Sequence, residues 1–202
     1  MERFSRALIP AYGSTHPGGA HRNLRELARL SYLDTGPLLA KEFLNKSGIH
    51  LIFEKHLPRT HLDGAALKLP EGSPLVALTL RHDRLDNFWF TLFHELAHVA
   101  LHLEQDDVEA CFDDLTDDAK KDKREKQADK MASDALIPAS EWKTAGLKRN
   151  SRTADVISFA ERLRISPAIP AGRIRYEAKD FAVFKPLIGA AKLRKMFGMK
   201  GT

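Results

Sequence analysis

The chain has 202 residues, 43% hydrophobic and 29% charged, a globular profile with enough length for one sizeable core. Its single cysteine, Cys111, excludes an intrachain disulfide, and no apolar run of about 18 residues or N-terminal leader pattern appears, so membrane spanning and export are not expected. The net charge of +5 and pI near 9.3 permit an acidic partner without requiring one, and a reducing cytoplasm is the expected compartment.

Residues 1–19 end in AYGSTHPGG, whose Pro and Gly density predicts a flexible arm or linker ahead of a single domain over 20–200. His21 to Leu33 and Pro37 to Lys46 carry helical apolar spacing, with Asp34-Thr35-Gly36-Pro37 as the turn between them. Such a pair could be a DNA-binding helix-turn-helix, but the Pro-containing turn favours a plain helical hairpin. Ile49 to Phe53, Gly64 to Leu69 and Leu75 to Leu80 read as strands. The last two are joined by Pro70-Glu71-Gly72-Ser73-Pro74, which predicts a β-hairpin within a small antiparallel sheet. An open edge of that sheet could take an extended peptide; a capped edge is the alternative.

Phe88 to Leu103, FWFTLFHELAHVALHL, contains no Gly or Pro and predicts a helix of about four turns, with Asp86 and Asn87 as N-cap candidates. Thr91, His94, Glu95, His98 and His102 fall in one stripe about 100° wide, and nearly everything else is apolar. A surface helix shows the opposite balance, so this one is expected to be buried with one polar stripe facing a site. His94, Glu95 and His98 spell H-E-x-x-H. Histidines at i and i+4 can set two imidazole nitrogens about 2 Å from one Zn²⁺. Glu95, rotated off that line, should reach the water such an ion activates and act as its base.

From Glu104 to Asp118 there are eight acids and no bases, which reads first as solvated surface. Cys111 lies in this stretch, and its acidic neighbours disfavour a thiolate, making it a poor nucleophile. Ala119 to Leu136 follows as a helix stopped by Pro138. Ala128, Ala132, Ala135 and Leu136 form its apolar stripe, and Glu125 lies on the same stripe. A carboxylate there is costly unless paired, which makes Glu125 the candidate third metal ligand, a solvated first-turn Glu being the alternative. His102 is a rival, but on a straight helix it stands about 12 Å along the axis from His94. Asp129, one turn past Glu125, could orient a liganding imidazole or lie exposed. His82 is a weak candidate for oxyanion stabilisation.

Thr153 to Arg164 predicts a further helix, and Ser166-Pro167 caps another running toward Tyr176. Arg173 and Arg175 on it could touch DNA, but Pro170 argues for packing instead, so direct DNA binding is not expected. Phe181 to Phe197 is a short apolar segment leading to a basic end; five bases and no acids follow Asp180.

With these residues in place, the sequence resembles the ImmA/IrrE family of zinc metallopeptidases. The likeness rests on HELAH preceded by Phe90 and Thr91, on EKQADKMASDALIP and on ISPAIPAGRIRYE, and runs from about Gly48 to Phe197. It implies a compact zincin-like α+β fold, His94, His98 and Glu125 as metal ligands, and Glu95 as the base. It is closer to the version attached to helix-turn-helix antitoxin-type regulators. That implies zinc-dependent cleavage of a repressor or antitoxin-type regulator, in stress-response or toxin–antitoxin control. The alternative is a non-catalytic sensor or interaction module of such a system. The metal could also be Mn²⁺ or Fe²⁺.

Overall fold

The computed structural model describes residues 17–55, 62–103, 110–111 and 118–199. Residues 1–16 of the expected arm, most of the acidic stretch and the Cys111 side chain lie outside it.

The chain begins with helices α1 (Pro17–Leu30) and α2 (Gly36–Lys46). The first therefore starts inside the stretch expected to be a linker. The two form a hairpin that packs on the core. Leu24, Leu27 and Ala28 of α1 and Ala40 and Leu44 of α2 are buried, and Arg25 reaches across to the Leu136 carbonyl at 3.3 Å.

Strands β1 (His50–Phe53), β2 (Gly64–Lys68) and β3 (Pro74–Leu78) follow, and a two-residue β4 (Ala110–Cys111) completes a sheet of order β1-β3-β2-β4. β2 and β3 form the expected antiparallel hairpin. β1, however, pairs with β3 in parallel, so the sheet is mixed and not antiparallel throughout. The segment between β1 and β2 is long enough to carry β2 past one strand position, and the hairpin then returns β3 into the gap. Leu80, left-handed at φ 46°, turns the chain out of the sheet toward the next helix.

That helix is α3 (Leu85–Leu101), the centre of the molecule. It touches β2, β3, α4 (Asp118–Leu136) and α7 (Ala168–Glu177). Phe88, Trp89, Leu92, Phe93 and Leu96 are at most 2% exposed, and burying each such side chain contributes about 1.5–3 kcal/mol. The helix starts one turn earlier than the sequence implies. Its N-cap is Arg84, with no side-chain cap. Asp86 is not the N-cap but a buried first-turn residue, held by Arg84 through bonds of 2.9 and 2.6 Å. The first-turn carboxylate still complements the helix dipole, and its cation comes from the residue ahead.

A short helix α5 (Ala139–Ala145) follows Pro138 and ends at left-handed Gly146. Helix α6 (Thr153–Leu163) ends at left-handed Arg164. The Ser166 hydroxyl accepts the Ala168 N–H at 3.3 Å as α7 begins, and Pro170 is buried in its first turn. Arg175 is buried and donates to the Val183 carbonyl. Arg173 pairs with Glu177 and lies over Trp142. Both guanidiniums of α7 are thus engaged within the chain. A 3-10 turn (Lys185–Leu187) and α8 (Leu193–Met196) close the described chain, with Phe197 stacked on Phe53 at 3.8 Å. No helix among the described residues is long and apolar enough to cross a membrane.

Candidate metal centre

The polar stripe of α3 faces α4. His94 Nε2 and His98 Nε2 lie 3.0 Å apart. Glu125 brings one carboxylate oxygen to 3.1 Å from His94 Nε2 and the other to 3.3 Å from His98 Nε2. The i, i+4 spacing stacks the imidazoles on one face, and buried Ala128 and Ala132 let α4 approach closely enough to deliver Glu125. Among the described residues, His94, His98 and Glu125 form the cluster that could hold a metal ion, with ligand atoms within 4.8 Å of one another.

The donor set fits a cation. Asp129 accepts a hydrogen bond from His94 Nδ1 at 2.9 Å. That places the N–H on Nδ1 and turns the Nε2 lone pair toward Glu125 and His98. Without a positive charge at the centre, the converging acceptors would repel one another. A proton on His94 can supply that charge. Burial works to lower its pKa, but the hydrogen bonds to Asp129 and Glu125 and the charge of Glu95 outweigh it and raise it to about 10. In turn, the hydrogen bonds from His94 and then His98 hold the Glu125 carboxyl well below the usual range, against its own burial.

Glu95 is 6% exposed and stands beside the cluster without joining it. It lines the same cleft, about 340 Å³, with Asp63, Gly64, Asn87, Thr91 and Tyr176. Gly64 at the start of β2 is pressed against it. A Cβ there would lie 2.6 Å from Glu95 Oε1 and 2.9 Å from Thr91 Cγ2. Glycine is required by this close approach of strand to helix, not by its φ.

His102 caps the end of α3, buried and outside the cluster, and burial followed by the nearby His98 charge lowers its pKa. His82 is exposed and does not line the cleft. Sequence reasoning gave no role to Gly64 or to the cleft-lining face of Tyr176. The signal for Gly64 was a glycine opening a strand; for Tyr176 there was none, because α7 reaches the cleft only through the tertiary fold.

The model of the IrrE N-terminal-like domain, peptidase M78, matches residues 45–175. The chain belongs to this family. The match spans β1 through most of α7 and so includes every residue of the cluster. Membership supports a metallopeptidase-type function and, with the His-His-Glu cluster, a bound metal ion. No curated protein matches the chain.

Proposed function

We propose that this protein is a zinc-dependent endopeptidase acting on a protein substrate, a transcriptional repressor or antitoxin-type regulator of the helix-turn-helix kind. The observation that carries the reading is a cluster of three donors, with a buried carboxylate beside it, in a cleft large enough for a polypeptide backbone. Structural zinc sites are closed by a fourth protein ligand, whereas two His and one Glu form a known catalytic set with an open position.

In this reading His94, His98 and Glu125 hold the ion, and Asp129 fixes the His94 ring. A zinc ion held by these residues would supply Lewis acidity toward a carbonyl oxygen and lower the pKa of a water molecule toward neutrality. Glu95 takes the proton of that water and delivers it to the leaving amine. Asn87, Thr91 and Tyr176 are uncharged donors that line the cleft and can meet charge developing on the carbonyl oxygen. Gly64 keeps Glu95 in place and presents the start of β2 at the cleft. Among the described residues β4 covers β2 only at Ala66 and Leu67, which suits a peptide lying beside Gly64.

The test is incubation of the zinc-loaded protein with the regulator encoded beside it, followed by mass spectrometry of fragments. Glu95→Gln should retain zinc and fold yet cleave about 10²–10⁴ times more slowly. Equal cleavage by Glu95→Gln would remove Glu95 as the base. Equal binding of the partner with no cleavage by either protein would favour the interaction-module reading.

A further inference from the structure

A second cavity, of about 260 Å³, adjoins the metal cleft. Phe90, Leu136, Ile137, Ile169 and Phe181 give it apolar walls. Asn87, Phe90, Asp129 and Tyr176 line both cavities, so a polypeptide held at the cluster has the second cavity beside it.

The acids on its border are matched within the chain. Asp86 is held by Arg84, Glu177 by Arg173 and Asp129 by His94. Each acid already has a basic partner, so a lysine entering the cavity would lose its hydration without return, and a carboxylate would find one buried Arg173 nitrogen without a hydrogen-bond partner against otherwise apolar walls. The volume is ample for a large apolar group, since an apolar cavity of about 150 Å³ already accepts benzene.

We propose that this cavity is a specificity subsite that takes a bulky apolar side chain (Leu, Met or Phe) flanking the bond to be cleaved. The proposal rests on the peptidase reading above and narrows its substrate class. Phe90 and Tyr176, exposed by 38% and 62%, form the partition between the reacting bond and the selected side chain. Ser133 lines the cavity from α4 and is half-buried, so it offers a place to fill the cavity without touching the cluster.

The experiment has two arms on the full chain. In the first, N-acetyl amides of Leu, Phe, Ala, Lys and Glu are titrated into the metal-free protein and followed by amide chemical shifts. Leu and Phe derivatives should perturb the amides of Ser133, Gly172 and Phe181 and bind about tenfold or more tighter than Ala, with no binding of Lys or Glu there. Ser133→Trp should abolish the effect; Phe181→Ala, at an exposed position, should weaken it without unfolding the protein. Equal binding of Lys or Glu, or shifts confined elsewhere, would overturn the subsite. In the second arm the zinc-loaded protein digests a peptide library and the new ends are sequenced. Leu, Met and Phe should be enriched about tenfold or more at one position flanking the cut, and Ser133→Trp should move the enrichment to small residues. Cleavage without apolar enrichment would overturn the subsite and leave the peptidase reading intact. Selective probe binding with no cleavage at all would sink the peptidase reading and keep the apolar cavity.

Discussion

Helix α3 meets two other helices through charged groups. At its junction with α7, Asp86 is bound by two Arg84 nitrogens and packed against Gly172, where a Cβ would lie 2.6 Å from the Asp86 Cβ. At its junction with α4, two imidazole Nε2 atoms and both Glu125 oxygens face one another within 3.0–3.3 Å. The first junction matches its acid with a base from the same chain. The second collects acceptors and leaves the balancing positive charge to a proton or an ion. Buried polarity alone therefore does not mark a site on this molecule; the imbalance does.

The two junctions should break in different ways. Glu125→Ala should abolish metal loading and, at neutral pH, also cost the metal-free protein some stability, because the protonated His94 ring loses a carboxylate partner 3.1 Å away. Arg84→Ala should leave metal loading intact but lower stability by about 3 kcal/mol, because the Asp86 side chain, 4% exposed, loses its partner. Metal analysis and urea unfolding of the two variants check this, and similar losses in both assays would erase the distinction.

Smaller effects sharpen it. Gly64→Ala should retain the metal while reducing cleavage by about 10²-fold, since its methyl must displace the Glu95 carboxylate. Asp129→Ala should weaken metal affinity by about 10–100-fold, by freeing the His94 ring. Competition with a chelator of known affinity would measure it; an unchanged constant would leave Asp129 a surface residue. The pH dependence follows from His94. Its pKa is raised to about 10 in the metal-free protein, so at neutral pH a proton occupies the position a metal must take. Zinc affinity, corrected for the chelator, should keep rising by about tenfold per pH unit from pH 7 to 9. A His94 of ordinary pKa would contribute no slope above pH 7.

The two junctions were not equally legible from the sequence. His94, Glu95 and His98 could be read from one helix because their geometry is local: 3.6-residue periodicity fixes which side chains share a face. Glu125 and Asp129 were accessible by a second local argument, a carboxylate on an apolar stripe with another one turn on. The α7 junction was not. Asp86 looked like an N-cap because the sequence before α3 does not show that Arg84 will fold onto it, nor that Gly172 arrives from far along the chain. The sheet fails the same way. The β2–β3 hairpin follows from its turn, but the parallel pairing of β1 with β3 depends on where a longer connection returns. His82 lies near the site helix in sequence, yet the turn after Leu80 leaves it exposed and outside the cleft.

The most direct test is an anomalous-difference map at the zinc edge from crystals of the zinc-loaded protein. One peak is expected, about 2 Å from His94 Nε2, His98 Nε2 and a Glu125 oxygen, with a position open to the cleft. A peak coordinated by His102, or one closed by a fourth protein ligand, would contradict the assignment.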